Sequence, residues 1–477
     1  MRKLNLKLKV FWRSLDKKLI GIWTLSFLGI NVVTATFITF YIKDLNETTT
    51  NTSIEGEDNS FETVDVDTIG NAPFTEIGLL SNNQDYNESY YAITSEGYLY
   101  TWGWNLNGEL GLETLDPYVF YPTFVNLDGS FNDVNGNGIQ DYGEIDTITN
   151  GDKVKDIYHI NYDHAIDDPG IFAISQEGYL YMWGSSYILP EKNTAEYKYS
   201  KTKSSQNMNY YISPTFVNLD GSYLQDDGKD ALEPARDIDG LLYRDSSNNI
   251  IDVKVPTKTE GDKVKDMEIY ATSSESHGGM ILSESGDLYG WGRNKSNIID
   301  QNSSTPVSTM YDEIIPIVYS TTDTYPTKTY KEISVINNSL EGYRDQTLVL
   351  ALGDDDYLYM WGDTTLIPDT RHGSIPISQR KKIDLTDPNI SVDTTQSSKV
   401  KSFSASRYFA ALFLINEDGY LYSIGGASYV GTAGNGCNPP TDETAKFVRI
   451  DINCNGNIDD DKVKYVSNTN YEVDLVT

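Results

Sequence analysis

Two acidic loops carry the residue types and spacing that bind calcium. The first begins at Asp133 and fits the calcium-loop pattern of Asp, Asp/Asn, Asp/Asn, Gly and a final Glu. Its predicted ligands are Asp133, Asn135, Asn137, the carbonyl of Ile139, Asp141 and Glu144. Calcium needs six or more oxygens from a loop that wraps tightly, and Gly138 supplies the bend. The alternative is a solvated acidic loop rich in Asx turns.

The second loop follows a similar pattern near the end of the chain. Its predicted calcium ligands are Asp451, Asn453, Asn455, Asn457 and Asp459. The twelfth position is Lys462, so this loop lacks the bidentate Glu that completes the first one, although Asp461 is adjacent. It is the weaker of the two predicted sites.

Catalytic patterns are scarce. The four histidines are His159, His164, His277 and His372, and they show neither a paired metal-binding spacing nor an accompanying serine-elbow motif. No phosphate-binding glycine loop is present. We therefore predict that the chain is not an enzyme. The alternative is a pair of carboxylates that cleaves glycosides, because the chain is rich in acidic residues.

The elements that position these loops are repeats. Five copies of one short segment recur along the chain, and they begin at Gly97, Gly178, Gly286, Asp356 and Gly419. Four of the five read as a Leu-Tyr-x-Trp-Gly core, in which the two-residue period of a strand sends Leu to one face and the aromatics to the other. Tryptophans 102, 183, 291 and 361 occupy the same place in the repeat, so packing between repeats explains them better than ligand stacking.

Each copy is surrounded by three further predicted strands. An opening strand recurs as Lys-Val-Lys at 153–155, 263–265, 399–401 and 462–464. A closing strand, Pro-Thr-Phe-Val-Asn-Leu-Asp-Gly, occurs verbatim at 122–129 and 214–221. Four strands per repeat predict an all-β fold built as a β-propeller, with insertions of variable length as surface loops.

The segment from Leu99 to Gly111 resembles the signature of regulator of chromosome condensation repeats, in which Trp-Gly-x-Asn is followed by Gly-Gln-Leu-Gly. The first repeat carries the whole signature, and the third keeps Trp291 to Asn294. The resemblance implies a propeller, typically of seven blades, and a protein-binding role. The chain departs from it in number, because five full repeats and a partial sixth are found. Either the chain is a fragment, or the segment 61–67 returns to help close a sixth blade, since open sheet edges are a liability.

The N-terminal segment predicts a membrane anchor. Residues 1–18 are strongly basic, and residues 19–42 form an uncharged apolar run long enough to cross a bilayer. The positive-inside rule places the N-terminus in the cytoplasm and the rest outside the cell. A cleavable signal peptide is the rival interpretation. Residues 43–60 are polar and predict a disordered stalk, which leaves 61–477 as the propeller.

Composition narrows the function further. The formal net charge is −33, which argues against nucleic-acid binding and favours basic partners. Cys437 and Cys454 are the only cysteines, and they either pair outside the cell or remain structural thiols.

We predict a membrane-anchored, surface-displayed recognition or adhesion protein that binds another protein or a glycan through its loops and tyrosine-rich faces. The alternatives are an extracellular hydrolase that acts in the propeller cleft and a structural envelope protein. Asp, Glu or His side chains converging on the propeller axis would favour the hydrolase.

Overall fold

A computed structural model describes most of the chain from Ala72 onward, and residues 73–477 form one compact unit. The described residues are 72–82, 88–114, 116–132, 134, 145–159, 169–185, 189–190, 200–203, 208–223, 225–226, 229–230, 232–234, 248–249, 252–254, 256–273, 276–294, 297–302, 309–338, 346–362, 379–406, 411–425, 446–452, 454, 457, 459, 461–463, 465–468 and 473–476. The predicted basic segment, anchor and stalk, and the predicted closing segment 61–67, lie outside them. Within the described ranges, no helix is both long and apolar enough to span a membrane.

The fold is all-β, and its strands form five antiparallel sheets that we call blades. Blade 1 contains β1 (Phe74–Asn82), β2 (Glu88–Thr94), β3 (Leu99–Trp104) and β4 (Tyr118–Phe124). Blade 2 contains β5 (Val154–His159), β6 (Gly170–Ser175), β7 (Leu180–Ser185) and β9 (Met208–Phe216), with β8 (Ser200–Lys203) as a fifth strand on the edge of β9.

The remaining blades repeat the same order of strands. Blade 3 contains β14 (Val264–Ser273), β15 (Ser276–Ser283), β16 (Leu288–Arg293) and β17 (Met310–Pro316). Blade 4 contains β18 (Tyr330–Asn338), β19 (Gln346–Gly353), β20 (Leu358–Gly362) and β21 (Lys381–Lys382), and blade 5 contains β22 (Val400–Ser406), β23 (Ala411–Asn416), β24 (Leu421–Gly425) and β25 (Val448–Arg449).

Three short two-stranded sheets complete the described strands. Two lie in the long insertion after blade 2, as β10 (Gln225–Asp226) with β11 (Lys229–Asp230), and β12 (Leu232–Pro234) with β13 (Asp252–Lys254). The third joins β26 (Tyr465–Asn468) to β27 (Val473–Val476) after blade 5. The prediction of five full repeats is therefore confirmed, and the β26–β27 sheet follows them where a partial sixth was predicted.

The repeated motif is the third strand of each blade and is paired on both sides. Its closing glycine has a backbone reason. Gly184 has a φ of +95°, and an added Cβ would lie 2.4 Å from the carbonyl oxygen of Pro169 on the neighbouring chain segment. Gly103, Gly292 and Gly362 show the same conflict with a backbone carbonyl. Only glycine fits this position without strain.

One backbone hydrogen bond joins successive blades. The first residue of the motif accepts from the first residue of the next blade's opening strand, as in Val154 N to Gly97 O at 2.8 Å and Val264 N to Gly178 O at 2.8 Å. Tyr330, Val400 and Val463 make the equivalent bond to residues 286, 356 and 419. The start of the opening strand, which is Lys-Val-Lys in blades 2, 3 and 5 and Thr-Tyr-Lys in blade 4, is thus a point at which each blade attaches to the one before it.

The opening strands also lie innermost, since β14 contacts β18, β18 contacts β22, and β22 contacts β26. The hydrophobic cores of the domain lie between the blades. The largest joins blades 1 to 3, and it includes Leu80, Phe172 and Trp291. The verbatim closing segments are fixed by buried aspartates: Asp152 accepts from Leu127 N at 2.9 Å, and Asp262 accepts from Leu219 N at 2.7 Å.

Cys454 is disulfide-bonded, and Cys437, the one other cysteine of the sequence, lies outside the described residues.

Candidate recognition face

The loop of blade 1 that follows the motif strand packs onto blade 2. Its Asn105 holds the loop in shape, because the side chain accepts from Leu110 N at 3.1 Å and donates to Thr114 O at 2.8 Å. The indole Nε1 of Trp183 in blade 2 then donates to the carbonyl of Glu109 at 2.9 Å. The motif tryptophan of one blade therefore receives the loop of the blade before it.

Glycines in the same loop allow this close approach. A Cβ on Gly111 would lie 2.9 Å from Nε1 of Trp183, and one on Gly108 would lie 3.0 Å from Cα of Ile212 in β9. The N–H of Glu113 donates to the carbonyl of Ile212 at 2.9 Å. Trp183 and Ile212 together form the receiving face of blade 2, and both side chains are fully buried.

Blade 4 receives blade 3 in the same way. Asn294 accepts from Ile299 N at 2.9 Å and so shapes the loop of blade 3. The indole of Trp361 donates to the carbonyl of Ile298 at 2.8 Å. Trp291 is also buried and lies against Phe172 of blade 2, with ring centroids 5.2 Å apart. The prediction that these tryptophans pack between repeats is confirmed for Trp183, Trp291 and Trp361.

Blade 1 is different, because its equivalent positions are open. Trp102 is only partly buried, stacks on Tyr90 and has no bond to its indole among the described residues. Phe120, which corresponds to Ile212 by strand register, is 79% exposed. Trp102 therefore departs from the prediction made for the four tryptophans, since no loop from a preceding blade covers it within the described ranges.

Further exposed aromatics continue this surface. Tyr118 is 49% exposed and Tyr121 63%. Trp104 packs edge-on against Tyr118 at 4.8 Å, and Tyr118 stacks with Phe120 at 6.1 Å. We call Trp102, Trp104, Tyr118, Phe120 and Tyr121 the open face of blade 1. Exposed apolar clusters of this kind mark interaction sites.

Charge sets blade 1 apart as well. The sequence holds no Lys, Arg or His from Asp44 to Asp152, while acidic residues recur throughout that stretch. Glu113 and Asp116, beside β4, are both exposed. The open face therefore lies beside exposed carboxylates in a stretch of sequence without basic residues.

A second polar cluster lies on the innermost strands. Asp156, Asp266 and Glu332 occupy the third position of β5, β14 and β18, immediately after a bulge in each strand. Burial raises the pKa of Glu332 to about 7, with a further contribution from Asp266 and an opposing one from Lys265. Burial also raises the pKa of Asp266, to which the hydroxyl of Tyr158 donates at 3.5 Å.

Most of the predicted calcium ligands lie outside the described residues. This holds for Asp133, Asn135, Asn137, Ile139, Asp141 and Glu144, and for Asn453 and Asn455 of the second loop. The first loop is nonetheless bracketed by paired backbone, because Asn132 N donates to Ile145 O at 2.9 Å and Thr147 N donates to Ser130 O at 2.9 Å.

The second loop is described only in part. Asp451 is half-buried, whereas Asn457 and Asp459 are exposed. Asp459 forms an ion pair with Arg449, and Asp461 accepts from Ile452 N at 2.9 Å. Among the described residues, no group of three or more His, Cys, Asp or Glu is arranged to hold a metal ion.

Comparison with known proteins agrees with the repeat assignment. Residues 96–135 match the family model of the Regulator of chromosome condensation (RCC1) repeat, which confirms the resemblance seen in Leu99 to Gly111. No curated protein matches the sequence.

Two solved structures show a distant likeness. Human WBSCR16 shares 12% identity at a TM-score of 0.39, covering 76% of this chain and 64% of its own. Prp20p from Saccharomyces cerevisiae shares 14% identity at a TM-score of 0.27, covering 76% of this chain and 74% of its own. These scores are too low to add to the fold established by the strands, so the chain's function rests on its own surfaces.

Proposed function

We propose that the chain is a surface-displayed recognition protein, and that the open face of blade 1 binds another protein. The observation that carries this proposal is the exposure of Phe120, whose counterpart in blade 2, Ile212, receives the loop of blade 1, together with the exposure of the adjacent Tyr118 and Tyr121. Interface cores are rich in aromatic residues, which combine apolar area with few rotatable bonds.

Display at the cell surface is part of the proposal. The apolar segment 19–42 acts as the anchor and the acidic domain lies outside the cell. The disulfide at Cys454 supports this location, because disulfides persist in oxidising compartments. No catalytic role is needed for recognition.

Calcium is proposed for the loop that follows blade 1. The residues Asp133 to Glu144 supply the oxygen ligands, and the bonds of Asn132 and Thr147 hold the two ends of the loop together. Calcium titration should raise the melting temperature of the wild-type chain, since a ligand of the folded state stabilises it. Asp133→Ala and Glu144→Ala should abolish that rise. An equal rise in all three proteins would contradict the assignment.

Photo-crosslinking tests the recognition role directly. A benzophenone amino acid in place of Phe120 should form a discrete adduct with one protein on intact cells. The same group in place of Val392, which is 60% exposed elsewhere in the chain, is the matched control and should not form it. The absence of any adduct at 120, or the same adduct at both positions, would contradict a binding role for the open face.

An extracellular glycoside hydrolase is the second candidate, because Asp156, Asp266 and Glu332 share the inner strands and burial raises the pKa of Glu332 to about 7. A raised carboxyl pKa suits a general acid. Hydrolysis of a glycan panel that Glu332→Gln abolishes, while the melting temperature is retained, would establish this function in place of recognition. If the wild type hydrolyses none of these glycans, the hydrolase function is excluded.

A further inference from the structure

We infer that the open face of blade 1 takes an extended, Lys- or Arg-bearing segment of a partner protein, which adds as a strand to the outer edge of β4. This inference rests on the proposed recognition function and specifies the chemistry of the partner. It follows from strand pairing, from backbone direction and from charge.

Blade 2 contains the arrangement that blade 1 lacks. The outer edge of β9 is paired with β8, in the register Ser200 to Tyr211 and Lys201 to Tyr210. Tyr210 and Tyr211 correspond to Tyr118 and Val119, since each pair lies opposite the end of its motif strand. Within the described residues, no strand pairs with the outer edge of β4.

The composition of β8 indicates which segments suit this edge. Its sequence is Ser-Lys-Thr-Lys, with basic and hydroxyl residues in alternation. Strand addition to a free edge is a common mode of peptide recognition, in which main-chain bonds give affinity and side chains give specificity. The chain thus pairs a basic strand with an equivalent edge in its own second blade.

The backbone of β4 is suitably oriented. The carbonyl of Pro117 accepts from Asn105 N at 3.1 Å, so Pro117 faces β3 and its missing N–H is not directed at the outer edge. Because successive residues of a strand alternate in direction, the N–H and C=O of Tyr118 point outward. A partner strand therefore finds a donor and an acceptor beside the exposed rings.

Charge selects a basic partner. Blade 1 has no Lys, Arg or His of its own, and Glu113 and Asp116 lie exposed next to β4. A second copy of this chain, at a formal net charge of −33, would be repelled, and so would its own acidic segment 61–67. A segment that carries Lys or Arg meets the carboxylates and the rings together.

Elsewhere in the chain, Lys and Arg side chains make cation–π contacts with aromatic rings. Lys258 lies 5.2 Å from the ring of Tyr181, Lys382 lies 4.1 Å from Tyr357, and Arg449 lies 4.3 Å from Tyr420. Among the described residues, no Lys or Arg lies over Tyr118 or Phe120. A basic partner would supply to Tyr118 and Phe120 a cation of the kind that other rings, including Tyr98 beside Lys153, obtain from within the chain.

Three synthetic peptides of equal length test the inference on the full chain in detergent. The first alternates Lys with Thr, the second alternates Glu with Thr, and the third repeats the first with N-methylated backbone amides at every second residue. Titration calorimetry should show saturable binding of the Lys peptide, weakened about tenfold or more by methylation, because the methyl groups remove edge hydrogen bonds. The Glu peptide should not bind.

Two variants locate the binding. Phe120→Ser and Asp116→Asn should each weaken binding of the Lys peptide. Loss of the aromatic anchor Phe120 should weaken it by about tenfold. The matched control is Val392→Ser, which changes another exposed apolar residue elsewhere in the chain and should leave binding unchanged. Raising the salt concentration should weaken binding of the Lys peptide to the wild type more than its binding to Asp116→Asn, because screening acts on the charge that the variant has lost.

The outcomes separate this inference from the proposed function. If the Lys peptide fails to bind, or if the methylated or acidic peptide binds as well as it does, a basic added strand is excluded. A crosslinked partner at Phe120 would then still support recognition by the open face through other chemistry. If neither the Lys peptide nor a crosslinked partner is found, both proposals fail.

Discussion

Arg380 is a buried cation among the described residues. Its side chain and that of Asp323 are both fully buried, with Nε 3.0 Å from the carboxylate. The guanidinium also donates to the carbonyl of Thr327 at 2.6 Å and lies 4.6 Å from the ring of Tyr359. The Arg380 guanidinium and Lys328 hold the pKa of Asp323 below its ordinary value despite burial. This residue ties the segment before β21 to the connection between blades 3 and 4.

Replacing Arg380 with Leu should lower the free energy of unfolding by about 3 kcal/mol, because a buried carboxylate loses its main partner. Urea denaturation measures the change. The matched control is Lys331→Leu, which removes an exposed ion pair with Asp356 and should cost less than about 1 kcal/mol. Equal effects of the two substitutions would contradict a structural role for the buried pair.

Glycine at the end of the motif strand gives a second test at single residues. Gly184→Ala should destabilise the chain by about 3 kcal/mol, since the new Cβ strains the backbone and meets the carbonyl of Pro169 at 2.4 Å. Gly221→Ala is the matched control, because Gly221 also has a positive φ but open space around its Cβ position, and should cost about 1 kcal/mol. If both variants unfold at the same urea concentration, the close approach has no energetic role.

At the scale of strands, the strands that recur in the repeats were predictable from the sequence. The Leu-Tyr-x-Trp-Gly cores became β3, β7, β16 and β20, and the Lys-Val-Lys segments became the openings of β5, β14 and β22. These segments are predictable because alternation and a closing glycine are local properties of the chain. The receiving faces were predicted only as tryptophan packing. Their glycine contacts depend on which loop meets which blade, and that is not local.

One feature of the strands carried no recognisable sequence signal, whereas a second carried a signal that the alignment of the opening strands reveals. The pairing of β8 with β9 joins a polar segment to an edge, and neither hydrophobic alternation nor a turn motif indicates it. The shared position of Asp156, Asp266 and Glu332 was present in the sequence as the residue after each opening Lys, at 155, 265 and 331. Aligning the opening strands by that Lys would have found it.

The inner strands predict a pH dependence. The folded chain holds the pKa of Glu332 at about 7, above the ordinary value of 4.5, so it binds a proton more tightly than the unfolded chain does. The stabilisation from this group is complete below about pH 4.5 and is lost as the pH rises through 7. Glu332→Gln should therefore flatten the fall in unfolding free energy between these pH values. A slope identical to that of the wild type would show that Glu332 is not responsible.

At the scale of the whole molecule, blade 1 covers the receiving face of blade 2 and blade 3 covers that of blade 4, and blade 1 is the first blade among the described residues. The open face is therefore a consequence of repetition, because Trp102 and Phe120 stand where Trp183 and Ile212 of blade 2 contact the preceding blade. Charge also distinguishes blade 1, since this blade alone precedes the first Lys of the domain, Lys153. A repeat protein can thus present its first blade to a partner through the same positions that hold its own blades together.

Hydroxyl-radical footprinting, applied to the purified full chain and to the chain on intact cells, tests the central claim most directly. In the purified chain Trp104, Tyr118, Phe120 and Tyr121 should oxidise rapidly, while the buried Trp183, Trp291 and Trp361 remain protected. On cells the four blade 1 residues should become protected as the partner covers them. Protection of these residues already in the purified chain, or equal oxidation in both settings, would contradict an open face used for recognition.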